Sequence, residues 1–340
     1  MALGWSRGRW RGAATLALAA AVVGSLTLGS STTAAASARP NGCSSSSSAP
    51  FPPSGLSDHV DGFLLDRGTF TRIVAPGAVS ETVPYGLNDR RQIVGGYVGA
   101  DGTVQGFVRD RGVYRGIDVR GALATLPLRV NDRGLIVGAF STSSATAPLR
   151  PPFHGFVLDR GRYRVIDVPG ATSTFPTGLN DRNQIVGLYD NASGRHGFLL
   201  DRGRYTTVDI PGALASGLSG INDRGQLLGV YLDPGGAPHG YLLDRGVCTT
   251  VDVPGAPGTQ PNSINDHGEI VGISSDAAGV IHGFLRTRGG AYRTIDAPGA
   301  SPSTATLDIN DHGQIVGARD LPGAGAGLGD QAATMLDLMR

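Results

Sequence analysis

Two short motifs recur six times along this chain at a nearly constant interval, and that repetition restricts the fold more than any other feature. One motif runs Gly-Phe/Tyr, then mostly apolar residues, then Asp-Arg-Gly, and begins at Gly62, Gly106, Gly155, Gly197, Gly240 and Gly283. In the last copy Thr287 replaces the aspartate. The other, Asn-Asp-x-x-x-Ile/Leu-Val/Leu-Gly, begins at Asn88, Asn131, Asn180, Asn222, Asn265 and Asn310. Successive asparagines are 43, 49, 42, 43 and 45 residues apart, and the longest interval holds an insertion between Ser141 and Phe153. A period of this length marks an array of supersecondary units that stack to make a shared core.

Each unit resolves into four short strands. In the fourth copy Gly197–Leu200 and Tyr205–Ile210 flank Asp201-Arg202-Gly203, a third strand ends near Ile221, and Asn222-Asp223-Arg224-Gly225 turns into Gln226–Leu232. Asparagine and aspartate tolerate left-handed geometry and glycine supplies positive φ, so both segments are turn signals. The runs between them favour Val, Ile, Leu, Thr, Tyr and Phe, which suit a half-buried pleated surface. No segment has a sustained helical period with caps. Four strands in about 43 residues is the unit of a propeller blade, so the expected fold is all-β: a six-bladed β-propeller of six repeats. A β-solenoid is the rival, but it needs distinctive end caps that this sequence lacks. If the Pro-Gly-Ala segments pass between blades, residues 62–74 complete a blade with residues 307–318 and close the ring. If blades begin at each Gly-Phe, no such closure exists.

The run His-Gly-Phe, Ile-Asp-Val-Pro-Gly-Ala, Ile-Asn-Asp-x-Gly-Gln-Ile-Val-Gly resembles the bacterial extracellular HAF-repeat family over residues 61–319. His154, His196, His239 and His282 precede their Gly-Phe/Tyr pairs as that pattern implies, whereas Asp61 and Gln105 depart from it. The resemblance implies an exported repeat protein and brings no catalytic residues with it.

Residues 1–38 read as a secretory signal: Arg7, Arg9 and Arg11, an apolar run from Gly12 to Gly29, and the small-residue site Ala36-Ser37-Ala38. Residues 39–61 form a Ser/Pro-rich leader of disordered composition, 62–319 the propeller, and 320–340 a flexible tail. No second long apolar segment follows, so no membrane span is expected after cleavage. Removing the signal leaves a charge near −2, too balanced for a general nucleic-acid or acidic-lipid binder. Every basic group other than histidine is arginine, and both tryptophans lie in the signal. In an oxidising compartment Cys43 and Cys248 can pair and pin the leader to the folded body. The alternative is a buried Cys248, with Cys43 free or joined to another chain.

Most aspartates fall at three repeated positions: after Asn (Asp89 and its equivalents), before Arg (Asp66 and its equivalents), and in Ile-Asp (Asp118 and its equivalents). A group supplied once per repeat is expected to build the repeat, by turn capping and Asp–Arg pairing. Calcium at the Asn-Asp turns is the functional alternative, although one pair offers too few oxygens for an ion that takes six to eight. No other cofactor is expected. Zinc ligation by the four histidines needs them to converge on one point, which repetition around a ring opposes. Glu81 and Glu269 are the only glutamates, with Glu269 read as an exposed variant, and the motifs of serine hydrolases and zinc proteases are absent. A carbohydrate-directed hydrolase or lyase on the same scaffold is therefore the second choice. Binding through loops that break the repeat is the first, with Tyr85, Arg150, Phe153 and Phe175 as candidate ligand-loop residues. Solvated loop variation is the plain alternative for each. The expected partner is an extracellular protein or glycan.

Overall fold

The computed structural model describes residues 60–79, 81–143, 152–300 and 303–320. All the regular structure among them is strand. The first strands are β1 (Val60–Asp66) and β2 (Thr69–Ile73), followed by β3 (Thr82–Leu87), β4 (Ile93–Val98), β5 (Val104–Asp110) and β6 (Val113–Ile117). Next come β7 (Ala124–Val130), β8 (Ile136–Ser141), β9 (His154–Asp159) and β10 (Arg162–Val165). The middle of the chain supplies β11 (Ser173–Leu179), β12 (Ile185–Asn191), β13 (Gly194–Asp201) and β14 (Arg204–Val208). These precede β15 (Ala215–Ile221), β16 (Leu227–Leu232), β17 (Pro238–Asp244) and β18 (Val247–Thr250). The last are β19 (Gly258–Ile264), β20 (Ile270–Ser275), β21 (Ile281–Arg286), β22 (Tyr292–Ile295), β23 (Thr304–Ile309) and β24 (Ile315–Asp320).

The strands form four antiparallel sheets of four and one sheet of eight, where the sequence leads one to expect six separate units. The larger sheet is β3–β6 and β7–β10 joined by a single parallel pairing, Val104 with Ala124. One four-stranded sheet runs β2-β1-β24-β23, so the start of the described chain is paired with its end. Sheets of this size, arranged around an axis, make a propeller.

Both motifs are explained by packing. The aromatic of each Gly-Phe/Tyr pair (Phe63, Phe107, Phe156, Phe198, Tyr241 and Phe284) is at most 2% exposed. Burying each such ring contributes roughly 1.5–3 kcal/mol. Each stands over the glycine of Ile-Val-Gly on the neighbouring strand. A Cβ on Gly138 would lie 2.0 Å from the Leu126 carbonyl and 2.8 Å from the Phe156 ring, so no side chain fits. The Asp-Arg-Gly hairpins pair Asp66 with Thr69 and Asp201 with Arg204, leaving two residues in each turn.

The innermost strands β3, β7, β11, β15, β19 and β23 each carry a β-bulge, at Pro84/Gly86, Pro127/Arg129, Pro176/Gly178, Leu218/Gly220, Pro261/Ser263 and Thr306/Asp308. Proline is tolerated here because the free edge of an innermost strand faces the axis and needs no ladder donor. The bulge turns the backbone toward the axis, and this sets the geometry of the site.

Candidate functional site

The six Asn-Asp turns meet around one end of the axis. Each asparagine donates from Nδ2 to the backbone carbonyl of the next: Asn88 to Asn131 at 2.9 Å, Asn131 to Asn180 at 3.1 Å, Asn180 to Asn222 at 3.1 Å. Asn222 donates to Asn265 at 3.0 Å, Asn265 to Asn310 at 3.1 Å, and Asn310 back to Asn88 at 3.1 Å. A second circle runs outside the first. The backbone N–H of each aspartate donates to Oδ1 of the next, from Asp89 through Asp132, Asp181, Asp223, Asp266 and Asp311 to Asp89, at 2.7–2.9 Å. These twelve bonds close on themselves and surround a depression of about 100 Å³.

The remaining asparagine atoms are used within each turn. Asn180 Oδ1 accepts from the N–H groups of Arg182 and Gln184, and its Nδ2 also donates to Gln184 Oε1. Glu269 fills the same place for Asn265 at 2.9 Å, so it is a half-buried acceptor and not the exposed variant expected from sequence. Leu135 cannot do this for Asn131, and Asn183 Oδ1 of the next turn accepts instead. Burial raises the carboxyls of Asp181 and Asp311, and neighbouring aspartates add to the effect. Among the described residues no group of three or more His, Cys, Asp or Glu side chains is placed to hold a metal ion.

Beneath the ring lies a chamber of about 80 Å³ lined by Arg129, Ser263, Asp308 and the glycines Gly178 and Gly220. These belong to one repeat position, just after the bulge, where Gly86, Gly178 and Gly220 leave space that Arg129 fills from one side. Its guanidinium donates to the carbonyls of Tyr85 at 2.8 Å, Leu128 at 2.9 Å, Asn262 at 3.0 Å and Leu307 at 3.5 Å. It lies 3.8 Å from Asp308, whose carboxylate also accepts from Ser263 Oγ and from the Leu87 N–H. Burial raises the Asp308 carboxyl, against the opposing charge of Arg129. This is the one asymmetric charged cluster on the axis among the described residues, and the sequence reading missed it. The signal was present as three departures from glycine at one repeat position.

The four histidines serve the scaffold. Nδ1 of His154, His196, His239 and His282 lies 2.7, 2.8, 2.8 and 3.0 Å from the aspartates of Ile-Asp, namely Asp167, Asp209, Asp252 and Asp296. Three of those aspartates also accept the next glycine N–H, which fastens the third strand to the end of the outermost one. Histidine, and not the expected arginine, is therefore the partner of this set. Asp61 does keep an arginine partner, Arg72. The hydrogen bond to Asp252 raises the His239 imidazole above its usual value. His282 is raised too: burial works against its charge, but Asp296 and Asp276 outweigh it.

Two of the candidate loop residues lie in strands, and a third, Phe153, immediately precedes β9. Tyr85 lies in β3 and Phe175 in β11, at 2% and 4% exposure, and Phe153 is buried against Phe175 with ring centroids 5.3 Å apart. Pro84-Tyr85-Gly86 and Phe175-Pro176 resemble turn composition, yet both are bulged innermost strands. Arg150 and Cys43 lie outside the described residues, as do the signal, most of the leader and the tail. Cys248 is buried on β18 and is not a free cysteine.

No family model matches the chain, and no curated protein matches it by sequence. Solved structures do match. A putative TolB from Agrobacterium tumefaciens superposes with a TM-score of 0.58 at 12% identity, over 79% of this chain and 100% of that one. The fold is a β-propeller. TolB from Acinetobacter baumannii gives 0.54 at 11% identity, over 69% of this chain and 63% of that one. At such identities the likeness concerns the propeller fold alone. No helix among the described residues is long and apolar enough to cross a membrane.

Proposed function

We propose that this chain is an exported, six-bladed propeller of the HAF-repeat type, acting outside the cell as a non-catalytic binding or scaffold module. Six blades result when the eight-stranded sheet is counted as two units joined by one pairing. The observation that carries the reading is the use of the repeated polar groups. Asparagine and aspartate circle the axis, and histidine with aspartate ties strand to strand. The chain's recurrent chemistry thus goes into a rigid platform whose ends are free to meet a protein or glycan.

The test is a thermal melt of residues 39–340 with calcium, with chelator, and with a panel of cell-wall and plant glycans. A ligand of the folded state at 100 times its Kd adds about 2.7 kcal/mol and visibly raises the midpoint. A shift with one glycan identifies the ligand class, and a shift with calcium assigns the ion to the platform. A flat, cooperative melt points to a protein partner. New product from any glycan would end the non-catalytic reading.

Cys248 and Cys43 are the two cysteines of the sequence, and we propose that they pair. Thiol counting under denaturing, non-reducing conditions is expected to find none free; two free thiols would refute the bond.

A further inference from the structure

Seven non-glycine residues of the described structure have left-handed backbone, and six are arginine: Arg67, Arg91, Arg111, Arg160, Arg202 and Arg245, with Asn183 the seventh. Five of the six share one place. Arg67, Arg111, Arg160, Arg202 and Arg245, at φ 48° to 50°, open the two-residue turn between the third and outermost strands, and a glycine at φ 81° to 87° follows each. Positive φ at both positions makes a type I′ turn, whose first position favours Asn, Asp or Gly. Arginine there suffers Cβ–carbonyl crowding that glycine escapes and asparagine offsets with its short polar side chain.

The fold gains nothing visible in return. The side chains of Arg67, Arg160 and Arg245 are 88%, 95% and 93% exposed, and each lies 3.6–3.9 Å from the aspartate of its own turn. An exposed pair at that separation adds little. Arg288 stands exposed at the sixth tip, on a longer turn. An unfavourable residue placed five times at the most exposed point of a turn indicates use of the side chain itself.

We propose that these six arginines form a docking surface for an acidic polysaccharide of the polyuronate type. The proposal rests on the binding-module reading and names its partner class. A guanidinium presents a planar fork that holds a carboxylate through two parallel hydrogen bonds and never loses its charge. Three of the five aspartates beside the tips turn back toward the sheets. Asp66 accepts from Gln314 at 2.8 Å, Asp244 from Gln226 at 3.1 Å and Asp110 from Gln92 at 3.3 Å. At these three tips the guanidinium groups therefore lead and the carboxylates stand behind them as acceptors. A polymer with anionic groups alone meets a like charge behind five of the six arginines. A polyuronate brings hydroxyl donors as well as carboxylates and can satisfy both. Several weak contacts from one rigid frame then act together.

The experiment is affinity electrophoresis of residues 39–340 through gels holding polygalacturonate or neutral dextran, with a melt of every protein used. Wild type is expected to be retarded by polygalacturonate only, and less so as salt rises. The variant R67N/R111N/R160N/R202N/R245N is expected to melt at or above the wild-type temperature, because asparagine suits the turn. Its binding is expected to weaken at least tenfold. Changing the same five residues to lysine keeps the charge, removes the fork, and should also lose most retardation.

A fall in the asparagine variant's melting temperature would overturn the premise that these arginines serve no fold. The single variants R160N and R245N read the same point if the fivefold one fails to fold. Unchanged retardation of a folded variant would overturn the site. Equal binding of wild type to duplex DNA or to phosphatidylglycerol vesicles would overturn the polyuronate assignment. Absence of retardation together with a melt shift by another glycan sinks this proposal and leaves the binding module standing. Release of new reducing ends from the polymer sinks the non-catalytic reading itself.

Discussion

Replacing Arg129 with leucine is expected to lower the unfolding free energy by about 3–5 kcal/mol, the usual cost of removing one partner from a buried ion pair. The guanidinium bonds four carbonyls from strands in three sheets and faces a carboxylate that is itself buried. Leucine leaves the Asp308 charge without a counter-ion and orphans carbonyls that the bulges aim at the axis. Urea unfolding with an unchanged m-value is the measurement. The pH dependence gives an independent sign. Burial already raises the Asp308 carboxyl, and losing Arg129 raises it further. A carboxyl whose folded pKa exceeds its unfolded value destabilises the fold when ionised. The deficit should therefore shrink as pH falls through the folded value. Adding Asp308→Asn to Arg129→Leu removes the stranded charge and keeps an acceptor for the Leu87 N–H, so the double variant should be more stable than Arg129→Leu alone. A loss below about 1 kcal/mol for the single variant would show that the arginine is not holding the axis.

Much of this architecture is legible in the sequence because the same local physics is written six times. Turn residues at fixed offsets, β-branched runs between them and glycine under an aromatic ring each recur with the period. Their agreement across copies gives the strands, the hairpins and the propeller. What a single repeat cannot display is where its ends meet those of its neighbours. Asn88 reads as a turn residue, and its bond to Asn131 is invisible until the sheets circle the axis. Tyr85 and Phe175 mislead because proline and glycine beside them resemble loop composition, while the free inner edge of the strand accommodates both. Arg129, Ser263 and Asp308 were visible as departures at one position. Their meeting depends on bulges that no sequence period records.

The same circle yields the second large effect, through two asparagines with matched surroundings. Asn180 lies between sheets formed by consecutive chain, whereas Asn310 lies at the seam where the last strand meets the first. Both are 5% exposed. Each donates to the next asparagine carbonyl and to a glutamine Oε1, and each accepts from the same two N–H groups of its own turn. Alanine at either place leaves buried backbone groups without partners, at about 1–3 kcal/mol for each group that water cannot reach. Asn180→Ala and Asn310→Ala should therefore cost similar amounts, about 2 kcal/mol or more, and agree to within about 0.5 kcal/mol by urea unfolding. A much smaller loss at Asn310 would mean that the seam opens in solution and the six turns form an arc. Truncation after Ile309 is the harsher form of the same test. It deletes β24 and with it the ladders to both β1 and β23, so the cooperative transition should disappear. A shortened chain that still melts sharply would show that the remaining sheets fold without closure, and the equal cost at the two asparagines would then need another cause.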